Sequence, residues 1–446
     1  MVNKDRMLYK KVLVIALPIA LQNFMQSALN MLDVFMVGKL GDDAIAAVGS
    51  ANQVFFLMTL LMFGINSGAN VFTAQYWGKK DIISIKKVFG IALVLSFTGS
   101  LIFAVVSYFF PVEIIKIFRT EPHIVELGAE YLKIISVSYI FTALSFSVAV
   151  ILRSMGRTKM PMYTSVLSFV INGLLNYVLI FGKFGFPEMG VAGSALATTI
   201  ARGLEFLITF VVIYARKYEI AGKIRELFSF DYLYFKDFIK VSMPVIMNEM
   251  LWSLGMVMYY YIYSLIGKDA GAAVTIEQSI ERMALVIFIG TASAAGVIVG
   301  NTIGEGGKDR AYDYAKKMTK LGVGFAVFTA LILIVTGKFM LSFYEVSPEV
   351  RASAFYLTVG FAVYLPFKIF NFHNIIGVLR SGGDTTYAFI LDITAMWLIS
   401  IPLGFLAVLV LKMPVYVVFI VINMEEIIKG YLGYKRFKSK KWIKEV

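Results

Sequence analysis

Apolar residues run through this chain in long blocks, separated by short segments rich in lysine, arginine, glycine and aspartate. Blocks of spanning length lie near residues 12–37, 46–72, 88–110, 128–152, 160–182, 190–214, 241–266, 273–299, 318–342, 352–379, 386–411 and 413–433. Each is long enough, at about 1.5 Å rise per residue, to cross a hydrocarbon core of about 30 Å as a helix. The pattern predicts an all-α integral membrane protein with twelve transmembrane helices. Prolines inside the blocks (Pro18, Pro244, Pro366, Pro402) are tolerated where neighbouring helices cover the freed backbone groups. One long polar connection, residues 215–240, follows the sixth block and separates an N-terminal half, 1–214, from a C-terminal half, 241–446.

The halves repeat one another. At an offset of 226, Pro18 matches Pro244, Gly41 matches Gly267, Asp43 matches Asp269, and Gly64 matches Gly290. Further on, "LRSMGRT" (152–158) matches "LRSGGDT" (379–385) at an offset of 227. Six blocks per half is an even number, so both halves enter the membrane from the same side. That predicts two six-helix bundles related by a pseudo-two-fold axis along the membrane normal, an arrangement found in transporters.

Composition agrees. The 446 residues are 59% hydrophobic and 16% charged, with a mean hydropathy of +0.77, so the bilayer is the expected solvent. The net charge of +13 is unevenly placed: 29 Lys and Arg fall in one alternate set of connections and 8 in the other. By the positive-inside rule this puts both termini in the cytoplasm of a prokaryotic cell (inner) membrane, and the charge needs no nucleic-acid partner. The first apolar block is too long for a signal-peptide core and has no small-residue cleavage site, which predicts a retained span. With no cysteine and only His123 and His373, disulfides and thiol catalysis are excluded and zinc chemistry is disfavoured. No phosphate-binding GxxxxGK[ST] or GxSxG nucleophile motif occurs, so neither ATP hydrolysis nor an enzyme is expected.

Polar residues within the blocks are the candidate chemistry. In the first block Gln22, Gln26, Asn30 and Asp33 are spaced 4, 4 and 3, which puts them on one helix face. A charge facing lipid is costly, so this stripe must face a bundle interior or a hydrated cavity. In the fifth block Ser165, Ser168, Asn172 and Asn176 form a second stripe. Both also fit plain interhelical hydrogen bonding.

The proline then aspartate of the first block, the two "LRS-x-G-x-T" segments, and "GVAGSALATT" (190–199) carry a resemblance. Across essentially its whole length the chain resembles the multidrug and toxic compound extrusion (MATE) family. That resemblance implies a cation-coupled efflux pump, with two bundles forming a V around a cavity that alternates between the two sides. It also implies a cation site of the first-span aspartate, an Asn and an Asp four apart in span five, and a Thr early in span six. This sequence offers Asp33, Asn172 and Thr198, with Asn176 in place of the second acid. Those four residues are the expected H⁺ or Na⁺ coupling set, and the oxygens of Asn172 and Asn176 suit Na⁺.

The second half does not copy this site, since Tyr259 matches Asp33 and Ile399 matches Asn172. Its acids are Glu249, Glu277, Glu281 and Asp392, with Glu425 and Glu426 near the inner end of the last block, where snorkelling beside Lys429 suffices. Gln26, Asn30, Glu249, Tyr259 and Asp392 are candidates to line the substrate cavity; Asp392 and Glu281 equally fit ion pairs with bases. The expected partners are small organic substrates, membrane lipids and the coupling ion, with no other cofactor, and a monomer is expected. The competing expectation is a flippase for a lipid-linked oligosaccharide or another lipid, since related families share the two-bundle plan. Few embedded bases and several embedded acids favour cationic substrates over a pyrophosphate.

Overall fold

The computed structural model describes residues 2–445, and the side chains of residues 6–445. Seventeen α-helices follow in order: α1 (Val2–Gly38), α2 (Asp42–Lys79), α3 (Ile82–Phe109), α4 (Pro111–Phe118), α5 (Pro122–Ile135), α6 (Ser138–Ser154), α7 (Lys159–Ile180), α8 (Gly190–Ala215), α9 (Ile224–Leu227), α10 (Tyr232–Ser264), α11 (Lys268–Gly304), α12 (Lys308–Leu341), α13 (Pro348–Phe372), α14 (Thr385–Thr394), α15 (Ile401–Phe405), α16 (Val415–Asn423) and α17 (Glu425–Lys438). Wider π-helical turns extend α13 through His373–Arg380 and join α14 and α15 through Ala395–Ser400. Such turns recur at functional positions.

Ten of the spans, by length and composition, can cross a membrane, and the α5–α6 pair, bent by 48°, makes an eleventh. The block expected at 413–433 breaks at Met424 into α16 and α17. Glu425, Glu426 and Lys429 fall inside it, leaving only the nine residues of α16 as an uninterrupted apolar helix. The polar connection expected at 215–240 is also shorter, because α10 begins at Tyr232. Within it α9 lies on α3, where a Cβ on Gly90 would stand 1.9 Å from the Leu227 carbonyl oxygen. Lys86 pairs with Glu226 at 2.7 Å, and its ammonium holds that exposed carboxyl below the usual range.

The repeat is visible in the turns. Gly41 and Gly267 take φ of 113° and 135° where α1 meets α2 and α10 meets α11, a region that favours glycine. At the end of α6, Arg157 N–H donates to the Leu152 carbonyl (2.8 Å) and Gly156 N–H to that of Arg153 (2.8 Å). After α13, Asp384 N–H donates to the Leu379 carbonyl (2.9 Å) and Gly383 N–H to that of Arg380 (2.9 Å). Both are helix stops closed by a left-handed glycine, and they sit at the matched LRS-x-G segments.

The chain forms two compact units, one of Leu21–Ser242 and one of Met1–Ala20 with Met243–Val446. The second unit claims the start of α1 because Leu8, Val12, Ile15, Ala16 and Ile19 share a core with Ala294, Ala295, Ile298, Ile375 and Leu379. The first unit claims the start of α10, where fully buried Phe238 stacks on Phe72 at 5.6 Å. Both divisions fall within two residues of the matched prolines, Pro18 and Pro244.

Candidate functional site

In the Leu21–Ser242 unit, α7 and α8 lie side by side and close together. A Cβ on Gly193 would stand 2.6 Å from the Leu179 carbonyl oxygen, so only glycine permits this approach without a shift. It lets Asn172 Nδ2 donate to Thr198 Oγ1 at 2.9 Å. Asn176 Nδ2 donates to Asn172 Oδ1 at 3.0 Å and also to Asp33 Oδ1 on α1. Thr198 Oγ1 donates to the other Asp33 oxygen at 3.4 Å. The four expected coupling residues therefore form one closed cluster, and Asp33 is only 6% exposed. One polar atom is left over. Asn176 Oδ1 is buried and accepts no hydrogen bond from the protein.

One turn away lies a second group. Arg202 on α8 donates to Glu205 Oε2 at 2.9 Å and to Gln26 Oε1 at 2.7 Å. Ser165 donates to Glu205 Oε1 at 2.9 Å, Gln22 Nε2 donates to Ser165 at 3.0 Å, and Arg153 donates to Gln22 Oε1. Gln22 and Gln26 thus belong to this group, whereas Asn30 is exposed and outside both. Ser168 donates to the Ala201 carbonyl at 3.3 Å, an interhelical bond with no ionisable partner. Sequence reasoning did not single out Arg202 or Glu205. The signal was present, because Thr198, Arg202 and Glu205 are spaced 4 and 3 and share a face of α8.

In the other unit Glu249 pairs with Arg380 at 2.8 Å. Arg153 and Arg380, the matched LRS arginines, each reach a polar residue on the first helix of their own half. Asp392 accepts from Lys429 at 3.2 Å and from Asn248 at 3.0 Å, and Glu281 is held by Lys368. Tyr259 is buried in the apolar core with Ile262 and Met396. Two expectations need correction. Lys429 does not snorkel: it is 4% exposed, with Glu425 at 3.4 Å and Glu426 at 3.5 Å, because three acids surround it inside the helices. Nor are embedded bases few, since Arg202, Arg380 and Lys429 are all buried; Arg380 was placed in a connection because its LRS segment reads as a helix end.

A family profile described as MatE matches residues 18–178 and again residues 244–406. The uncharacterized transporter YisQ of Bacillus subtilis is 26% identical over 433 residues, covering 97% of this chain and 93% of that protein. The probable multidrug resistance protein NorM of Thermotoga maritima is 26% identical over 449 residues, covering 98% and 93%. Among solved structures, a MOP superfamily transporter from Pyrococcus furiosus has a TM-score of 0.88 at 18% identity, covering 98% of this chain and 97% of its own. An outward-facing multidrug resistance MATE family transporter has a TM-score of 0.87 at 19% identity, covering 97% and 96%. These likenesses at low identity show the fold.

Proposed function

Because the chain belongs to the MatE family of membrane transporters, we propose that it is a secondary active multidrug exporter. It exchanges H⁺ or Na⁺ for amphipathic, often cationic organic compounds by alternating access. The observation that supports this most is the closed cluster around buried Asp33, where one carboxylate meets only amides and a hydroxyl. The Arg202 charge is tied to Glu205 and Gln26, so Asp33 is left to a mobile cation. A proton neutralises it directly. For Na⁺ the candidate ligands are the Asp33 carboxylate, Thr198 Oγ1, Asn172 Oδ1 and the unused Oδ1 of Asn176, all hard oxygens. With Asn176 where the family pattern has a second acid, the site carries at most one charge per cycle. Occupancy then favours whichever packing of the helices encloses a neutral Asp33, and that differential is what moves the equilibrium.

In the other unit Glu249 and Asp392 are already paired with Arg380 and Lys429, so the preference for cationic substrates rests on the Asp33 cluster. A lipid-linked oligosaccharide flippase needs bases free to meet pyrophosphate; Arg202, Lys368, Arg380 and Lys429 each have an acidic partner, which leaves Arg153, bonded to Gln22, as the embedded base such a reading would use. We place the protein in a prokaryotic cell (inner) membrane with both termini cytoplasmic, on the basic asymmetry of the connections, and propose that it acts as a monomer. The test is uptake of a fluorescent organic cation into inside-out vesicles, with ΔpH and the Na⁺ gradient imposed separately. Uptake driven by one of them is expected. Uptake that ignores both and requires ATP overturns the reading.

A further inference from the structure

Glu277 stands in the interior of α11, 1% exposed, and neither carboxyl oxygen has a hydrogen-bond partner in the protein. The apolar core of this unit includes Ile276 and Ile280, to either side of it on α11, and Tyr263 of α10. The titratable groups close to it are Tyr263 of α10, Glu281 one turn later on α11, and Lys368 of α13. The one nearby base is already committed, because Lys368 holds Glu281 and has Glu426 of α17 near it as well. The matched position in the first half is Ala51, itself buried, so the fold does not require an acid here.

A carboxylate with no donor and no free counter-charge is not sustained in such a place; the group neutralises instead. A protonated carboxyl is the form this environment accepts. Na⁺ is disfavoured because it needs several oxygens around it, and the nearby Glu281 carboxylate is already held by Lys368.

We propose that Glu277 is a proton-binding site in the second unit, separate from the Asp33 cluster. It is neutral in the conformation described here, and it gives up its proton when a positive charge comes within reach. The donor is the Glu277 carboxylic acid, the proton passes to water, and the carboxylate left behind is balanced by the arriving cation. The role in transport rests on the exporter reading above; the protonation does not.

The test is infrared spectroscopy of the purified transporter in lipid at neutral pH, read at the carboxylic-acid C=O stretch. The wild-type spectrum should contain one acid band that is missing from Glu277→Gln and retained in Asp33→Asn. Addition of tetraphenylphosphonium should diminish that band in the wild type and release a proton into weakly buffered solution. Glu281→Gln gives a reading that does not depend on how well E277Q folds: it frees Lys368 to pair with Glu277, and the same band should vanish. A wild-type spectrum with no band assignable to Glu277, as for a carboxylate solvated by buried water, overturns the proposal. So does a band that tetraphenylphosphonium leaves unchanged, which describes a purely structural acid. If Asp33→Asn transports at the wild-type rate, the exporter coupling falls, while the infrared result still decides Glu277.

Discussion

Asp33 sits among groups that can satisfy it without discharging it. Asn172 bridges the cluster, donating to Thr198 and accepting from Asn176, so Asn172→Ala removes two bonds but no charge. At about 0.5–1.5 kcal/mol per bond, a loss of about tenfold in gradient-driven transport is expected, short of abolition. Concentration-dependent uptake in vesicles measures it; full loss of transport would make Asn172 more than a bridge. Arg202→Gln should act on stability instead, because it strands the buried Glu205 carboxylate. Breaking such a pair costs about 3–5 kcal/mol. A clear fall in Tm in detergent is expected, with recovery in the Arg202→Gln, Glu205→Gln double variant. Asp33, Asn172 and Asn176 were legible as polar positions at helical spacing, and Thr198 only through the family resemblance. Asn30, a cavity candidate, is exposed and takes no part in the Asp33 cluster. Arg202 and Glu205 lie in the middle of the sixth block and went unread because the face they share with Thr198 was not drawn.

At the scale of elements, the site depends on how closely α7 and α8 approach. Gly193→Ala places a methyl group 2.6 Å from a backbone oxygen, so the helices must part and the Asn172–Thr198 bond lengthens. Overpacking of this kind costs about 1–3 kcal/mol. We expect a lower Tm together with weakened coupling, although no polar group has been touched; unchanged uptake at the wild-type ion dependence would count against this geometry. The apolar blocks marked the helices well because length and hydropathy decide membrane spans. They marked α16 and α17 poorly, since Glu425, Glu426 and Lys429 satisfy one another inside the protein and hydropathy cannot see a partner.

For the whole molecule, the doubled sequence is the plainest signal: the family profile starts at Pro18 and again at Pro244, and the two compact units change over beside the same prolines. What the sequence could not disclose is that Met1–Ala20 belongs with the C-terminal unit, because its apolar residues look alike on every side. The proposed orientation can be checked directly in a chain without native cysteine. Single cysteines replacing Ser84, Ser229 and Ser439 should resist a membrane-impermeant thiol reagent on intact cells and react in inside-out vesicles; labelling from outside would reverse the topology. The account as a whole turns on Asp33 as the group whose neutralisation is coupled to transport. The measurement that reaches it most directly is uptake of a fluorescent cation into inside-out vesicles carrying Asp33→Asn, under imposed ΔpH and imposed Na⁺ gradient in turn. The account predicts that gradient-driven uptake is abolished while the protein remains folded and at wild-type abundance; uptake at the wild-type rate with the same ion dependence would contradict it.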